Sequence, residues 1–122
     1  MPLKKASGKV EVFHIDGSEV HAVRPNKAAW DEYSDQLFDR DKNGELQVKS
    51  GRAISTLYRQ CVRKLANVEV GVDEKGEVIL GGITNPDEIV AFLKGLENAE
   101  AGRQIDAWLL GMAELSKGEA KN

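Results

Sequence analysis

The sequence has few of the residues that build disulfide frameworks and zinc sites, and it has no long apolar run. Among its 122 residues there are one cysteine, Cys61, and two histidines. One cysteine excludes an intramolecular disulfide and a four-cysteine zinc site, and it fits a reducing compartment. No apolar run approaches the roughly 18 to 20 residues of a membrane span, and the first residues lack the apolar centre of a signal peptide. These absences predict a soluble, intracellular protein.

The charge balance argues against a general nucleic-acid-binding protein. The net charge is −3, whereas such proteins usually carry a basic surplus that neutralises phosphates. The charges are also unevenly distributed, because residues 1–66 carry 12 basic and 9 acidic side chains and residues 67–122 carry 5 and 11. Solvated surfaces account for such unevenness. If copies of the chain associate in a ring, opposite halves of neighbours can meet head to tail, which predicts salt-sensitive oligomers.

Turn and cap residues organise the first half of the chain. Two β-rich runs, 9–15 and 18–23, flank Asp16-Gly17, a dipeptide suited to a two-residue hairpin turn. Arg24-Pro25-Asn26 ends the second strand and provides a helix cap, so a helix with an aromatic stripe follows to about residue 38. The polar segment 39–50 breaks the helical spacing and predicts a loop.

The second half predicts a long helix, a hairpin and two further helices. Apolar residues at helical spacing continue from 51 to 66, and short β-rich runs at 68–72 and 77–80 flank a turn. Pro86 and the residues before it begin a third helix, and a fourth follows Gly102. The predicted fold class is α+β and mostly α, with four helices packed together, an N-terminal β-hairpin and a second hairpin in mid-chain. A single domain spans 1–122, with a flexible leader at 1–8 and a flexible tail at 117–122.

The segment that begins at Asp39 matches the first eight positions of an EF-hand calcium loop. Asp39, Asp41, Asn43 and the carbonyl of Glu45 would supply oxygen ligands, and Gly44 occupies the turn position. The twelfth position is Ser50, however, where an EF-hand has a bidentate glutamate. The competing interpretation is a polar turn in which Asp and Asn side chains bind their own backbone. No resident metal or other cofactor is expected, and calcium enters only under the EF-hand interpretation.

The other chemically reactive residues do not form a catalytic pattern. His14 and His21 lie on opposite arms of the first hairpin, but a zinc site needs at least three protein ligands. Cys61 falls in the apolar stripe of a helix, which favours packing over nucleophilic catalysis. Arg52, Arg59 and Arg63 share one helical face, which is typical of a solvated face and could also bind an acidic partner. The sequence therefore indicates a protein that is not an enzyme.

The order of motifs resembles the tail assembly chaperones of long-tailed bacteriophages. A strand pair ends in VRPN and is followed by the acidic, aromatic helix AAWDEYSDQLF. The run LYRQCVRKLANVEV then leads into VDEKGEVI, a TNPDE helix start and a last segment ending in KGEAKN. The similarity in order and length extends over nearly the whole chain.

The resemblance implies a protein that binds the tape measure protein, keeps that long, helical and apolar chain soluble, and helps to recruit tail tube subunits. A frameshifted, longer product would carry out the recruitment, and this chain would be the shorter product. The expected location is the cytoplasm of the bacterial host and not the mature virion, with neither nucleic acid nor membrane as a partner. The chain is expected to form a homo-oligomer, because several copies give avidity for a long client.

The partner-binding surface is expected to include large apolar side chains of the helices. The five candidates are Trp30, Tyr33, Phe92, Trp108 and Leu109. Each of them also fits the core of a helical domain. The alternative function is a small EF-hand-like calcium-binding or protein-interaction module, and a small enzyme is a third class.

Overall fold

In the described residues, each of three strand pairs is followed by a helix, and a fourth helix follows the third. The computed structural model describes residues 2–3 and 8–121, and the side chains of those residues through Met112. The strands are β1 (Val10–Ile15), β2 (Ser18–Val23), β3 (Phe38–Arg40), β4 (Leu46–Val48), β5 (Val62–Val72) and β6 (Val78–Ile83). The helices are α1 (Lys27–Leu37), α2 (Ser50–Cys61), α3 (Pro86–Lys94) and α4 (Ala99–Lys121).

The larger sheet is antiparallel and has the strand order β1-β2-β5-β6. Asp16 and Gly17 both have positive φ, 49° and 80°, as a two-residue turn between Ile15 and Ser18 requires. The predicted N-terminal hairpin is thus confirmed. It obtains the additional strand pairing that an isolated hairpin needs, because β2 also pairs with β5.

The expectation of a mostly α fold is wrong. The described residues form four helices and six strands, so helix and sheet contribute about equally to an α+β fold. The two predicted hairpins are parts of one four-stranded sheet and not separate appendages of a helical bundle. The α2 helix ends at Cys61, and the chain enters β5 directly at Val62. A short apolar run fits a helix and a buried strand equally well, and here pairing with β2 selects the strand.

The segment 39–50 is not a plain loop, because it contains a β-hairpin whose strands β3 and β4 form a second, two-stranded sheet. Phe38 pairs with Val48, Asp39 with Gln47, and Arg40 with Leu46. The polar composition that predicts a loop belongs to the turn and to one face of this hairpin. The hairpin lies directly between α1 and α2 in the chain.

The core lies between the larger sheet and the helices. Its fully buried large side chains are Leu57, Cys61, Leu65, Ile89 and Leu109, which come from α2, β5, α3 and α4. Trp108 of α4 stacks on Phe13 of β1 with ring centroids 5.2 Å apart. Asparagine caps orient the helices, since Asn26 accepts a hydrogen bond from the Ala29 N–H and Asn85 from the N–H groups of Asp87 and Glu88.

The two segments predicted to be flexible lie only partly within the described residues. Most of the leader at 1–8 lies outside the described residues, and α4 continues through Lys121 into the segment predicted as a tail. Within the described part of the chain, no helix has the length and apolar character that crossing a membrane requires.

Candidate protein-binding surfaces

Two hairpins of this protein are built on the same turn. In β3–β4 the side chain of Asp41 accepts hydrogen bonds from the N–H groups of Asn43 and Glu45, at 2.8 and 3.0 Å. In β5–β6 the side chain of Asp73 accepts from the N–H groups two and four residues later, both at 2.9 Å. Gly44 and Gly76 occupy the corresponding positions with φ of 80° and 81°. An Asp-x-x-Gly-Glu sequence therefore specifies both turns, because aspartate holds the backbone and glycine accepts the positive φ.

The β3–β4 hairpin presents one apolar face to solvent. Residues paired across two strands share a face, and so do residues two apart along a strand. Phe38, Arg40, Leu46 and Val48 therefore lie on one face. The three apolar side chains are 48–64% exposed. The opposite face carries Asp39, which Arg52 of α2 holds through a hydrogen bond of 3.1 Å, so the hairpin is fastened to the body on that side.

The distal part of β5 and β6, residues 68–81, extends past the end of β2 and is named the β5–β6 arm. The last β2–β5 pair is Glu19 with Ala66, and Asn67 has a φ of 56°. The Asn67 side chain donates to the carbonyl of Gly17, which anchors the base of the arm to the β1–β2 turn. Val68 at the base of the arm is buried, and the five apolar side chains beyond it are 44–66% exposed. These residues are Val70, Val72, Val78, Ile79 and Leu80.

A small open cleft of about 190 Å³ lies where α1, α2 and α4 meet. Its lining surface is mainly apolar, and Tyr33, Ser50 and Asp106 contribute polar groups. The other lining residues are Gly51, Ile54 and Leu110. Tyr33 also stacks on Trp30, with ring centroids 5.2 Å apart. Both aromatic side chains are half-buried. A cleft of this kind accepts one apolar side chain and offers polar groups that can orient it.

Asp106 links the cleft to the core, because it accepts a short hydrogen bond from the buried Tyr58 hydroxyl. Burial raises the pKa of the Asp106 carboxyl, and the hydrogen bond from Tyr58 partly offsets that rise. Burial and the neighbouring carboxyl also raise the pKa of Tyr58 well above its usual value of 10.0. The hydrogen bond between Tyr58 and Asp106 joins α2 to α4 and holds Asp106 in the wall of the cleft.

The Tyr58→Phe variant is expected to lose part of the alkaline pH dependence of stability. Above pH 10 the unfolded chain releases the Tyr58 proton while the folded chain keeps it, so the free energy of unfolding falls as pH rises, by up to about 1.4 kcal/mol per pH unit. Urea unfolding between pH 8 and 11 measures this slope. Buried Cys61, whose pKa is raised to about 11, adds a slope of the same sign to both proteins. Equal slopes in the two proteins would contradict the assignment.

The calcium-loop motif serves as a hairpin turn in this structure. Asp39 accepts hydrogen bonds from the Arg40 N–H and from Arg52, and Asp41 accepts from two backbone N–H groups. The carbonyl of Glu45, the expected seventh-position ligand, accepts from the Asp41 N–H at 2.9 Å. The described residues contain no cluster of His, Cys, Asp and Glu arranged for a metal ion. The hydrogen bonds of Asp41 to the backbone are those that the polar-turn interpretation predicts, and whether Asp39, Asp41, Asn43 and Glu45 also bind calcium stays a prediction.

The histidines and arginines make contacts within the chain. One carboxylate, Glu19, lies 2.9 Å from the His21 ring and 3.7 Å from the His14 ring. On the arginine row, Arg59 pairs with Asp87 of α3 at 2.6 Å, and Arg63 donates to the carbonyl of Gln60. The prediction that all three arginines share one helical face is wrong, because α2 ends at Cys61 and Arg63 lies in β5. Arg52, through Asp39, and Arg59, through Asp87, join α2 to its neighbours.

The structure separates the five apolar residues predicted to bind a partner. Tyr33 lines the cleft on α1, and Trp30 stacks on Tyr33 without lining the cleft. Phe92 and Trp108 are half-buried against the core, and Leu109 is 0% exposed inside it. Sequence reasoning missed both hairpin faces. The repeated Asp-x-x-Gly-Glu and the alternation of Leu46 and Val48 are the signals that could have indicated them.

Comparison with known proteins does not assign a family: no family model, no curated protein sequence and no solved structure matches this chain. The interpretation of function therefore rests on the surfaces described above and on the order of sequence motifs.

Proposed function

We propose that this protein is a non-enzymatic assembly chaperone that binds an apolar, helical client. The observation that carries the proposal is the cleft between α1, α2 and α4, with the Trp30–Tyr33 stack at its edge. Recognition of an amphipathic helix in a groove uses this combination of an apolar socket and neighbouring aromatic side chains. The cleft holds one anchoring side chain, and the aromatic rings widen the contact along α1.

The client that we propose is the tape measure protein of a long-tailed bacteriophage. The sequence resemblance to tail assembly chaperones supports this choice, and a long helical apolar chain has the chemistry that the cleft accepts. The protein would act in the cytoplasm of the bacterial host, leave before the virion is complete and help to recruit tail tube subunits. Apolar contact with the client would keep its helices from associating with one another.

The cleft suggests a variant that fills the binding site without disturbing the fold. A Cβ at Gly51 would meet no atom within 4 Å, and the backbone there has no positive φ. In Gly51→Leu the new side chain therefore enters open space next to the cleft. Glycine is the weakest non-proline helix former, so the exchange is expected to raise the stability of α2 by up to about 1 kcal/mol.

Co-expression with the tape measure protein tests the proposal. We expect the native chain to keep the client in the soluble fraction and to co-purify with it, and we expect Gly51→Leu to lose most of this effect. Gly111→Leu is the matched control, because Gly111 lies in α4, also has open space around its Cβ and does not line the cleft. A client that stays insoluble with the native chain would refute the proposal. Equal behaviour of the two variants would move the binding site away from the cleft.

A further inference from the structure

The β5–β6 arm has an exposed face that matches the exposed face of the β3–β4 hairpin. Val72 pairs with Val78, and Glu69 pairs with Leu80. Val78 and Leu80 are two residues apart, so these four side chains share one face of the arm. The irregular register between Glu69 and Gly71 keeps both pairs on that face.

Each face consists of one apolar pair and one pair of a leucine with a charged residue. On the β3–β4 hairpin the pairs are Phe38–Val48 and Arg40–Leu46, and the charged residue is basic. On the arm the pairs are Val72–Val78 and Glu69–Leu80, and the charged residue is acidic. Each face therefore has three apolar side chains and one charged side chain, and the charges on the two faces are opposite.

Beyond this position the β3–β4 hairpin carries mixed charges, whereas the arm is mainly acidic. Near the β3–β4 face, Arg40 donates to the Gly44 carbonyl, and Arg40, Lys42 and Lys49 form no ion pair within the described chain. The hairpin turn also contains the acidic residues Asp41 and Glu45. On the arm, the carboxylates of Glu69, Glu74 and Glu77 are likewise without an ion pair in the described structure, and Lys75 is the one basic residue between 68 and 81. The opposite charges that belong to the two faces themselves are Arg40 and Glu69.

We propose that the β5–β6 arm of one copy of this chain docks face to face on the β3–β4 hairpin of a second copy. Both faces are exposed in the described structure, so they do not cover each other within one chain. The contact joins two different surfaces, which generates a ring if the rotation closes and an open chain of copies if it does not. The occupant of each face is thus another copy of the same protein.

The positions of the charged pairs determine how the hairpins are oriented. Arg40–Leu46 is the pair next to the turn in β3–β4, whereas Glu69–Leu80 is the pair farther from the turn in the arm. Arg40 reaches Glu69 when the two hairpins point in opposite directions. The apolar pairs Phe38–Val48 and Val72–Val78 then overlap, at the spacing of about 10 Å that is typical of packed sheets.

Charge reversal at this contact provides the test, and analytical ultracentrifugation of the whole chain provides the measurement. We expect reversible association of the native protein that weakens as salt rises from about 0.1 M to 1 M, because shorter screening lengths suppress the Arg40–Glu69 attraction. Arg40→Glu and Glu69→Arg are each expected to weaken association at least about tenfold. Both positions are exposed, so circular dichroism should show an unchanged fold.

Mixing the two variants distinguishes this contact from every other mode of association. Arg40→Glu carries an acidic residue on both faces, and Glu69→Arg carries a basic residue on both. Neither variant should associate well alone, but an equimolar mixture of the two should assemble. The chain that carries both reversals should also associate like the native protein. A native protein that remains monomeric up to about 1 mM would overturn the proposal. Association that neither reversal weakens, or that mixing does not restore, would overturn it too.

The proposed self-association does not require the client. Gly51→Leu, which fills the cleft, should associate like the native chain. Leu80→Ser removes one exposed apolar side chain from the arm face and should weaken association, whereas Val12→Ser removes an exposed valine from β1 and should not. Equal association of the Leu80→Ser and Val12→Ser variants would place the contact elsewhere.

Discussion

Replacing Leu109 by alanine is expected to lower the free energy of unfolding by roughly 3 kcal/mol, within the usual range of about 2 to 5 for buried leucines. Leu109 is 0% exposed and lies in the core cluster with Leu57 and Ile105. The truncated side chain would leave a cavity between α4 and its neighbours that a rigid core fills only partly. Urea unfolding followed by circular dichroism measures the loss.

The control for Leu109→Ala is Leu80→Ala on the β5–β6 arm. Leu80 is 54% exposed, so its truncation should change the stability of the monomer by no more than about 0.5 kcal/mol. The comparison must be made at a protein concentration low enough to exclude association. Equal losses for the two variants would contradict the placement of Leu109 in the core. If the Leu109→Ala protein is stable and loses only client binding, Leu109 belongs to the partner-binding surface and not to the core.

Replacing Tyr33 by alanine is expected to weaken binding of a helical segment of the client about 30-fold, or roughly 2 kcal/mol, as is usual for truncating an aromatic anchor. Tyr33 both lines the cleft and stacks on Trp30, so its loss removes one wall and one half of the aromatic pair. Isothermal titration of a client peptide into the native and variant proteins measures the effect. Unchanged affinity would exclude Tyr33 from the contact.

Phe92→Ala is the matched control for Tyr33→Ala. Phe92 is a half-buried aromatic residue that packs against the core and does not line the cleft. Its truncation is expected to reduce stability while the affinity for the client stays within about twofold of the native value. A large loss of affinity in Phe92→Ala would show that the client covers α3 as well, which would contradict a binding site confined to the cleft.

Local signals in the sequence were sufficient wherever one residue type determines the backbone. Asp16-Gly17 supplies the positive φ angles of the first hairpin turn, and Asn85-Pro86 supplies the cap and first turn of α3. Such local signals did not indicate the residue at which α2 ends and β5 begins. Val62 and Leu65 continue the helical spacing of α2, but both pair with β2 and Leu65 also pairs with β6, which places them in a strand.

The candidate binding surfaces were predictable in part. Helical spacing places both Tyr33 and Leu109 on the apolar face of a helix. It does not show which element covers that face, so it cannot tell the cleft residue Tyr33 from the core residue Leu109. The cleft depends on how α1, α2 and α4 meet, which the sequence of any one helix does not contain. The two hairpin faces depend on strand register, and a shift of one residue would exchange the exposed and covered sides.

The residues of the calcium-loop motif are compatible with two different structures. Asp39, Asp41, Asn43 and Gly44 have the spacing of a cation loop, but the same residue types also build a tight turn. The two interpretations differ in whether the carboxylates bind a cation or the backbone. Hydrogen bonds to the N–H groups of Arg40, Asn43 and Glu45 favour the backbone.

The central claim is that the cleft between α1, α2 and α4 binds a helical apolar client. Heteronuclear NMR of the labelled protein, titrated with a helical peptide from the tape measure protein, tests it most directly. We expect the signals of Tyr33, Gly51, Ile54 and Leu110 to shift as the peptide saturates the protein, while those of Val72 and Val78 on the β5–β6 arm stay in place. Shifts confined to the arm, or no shifts at all, would contradict the account.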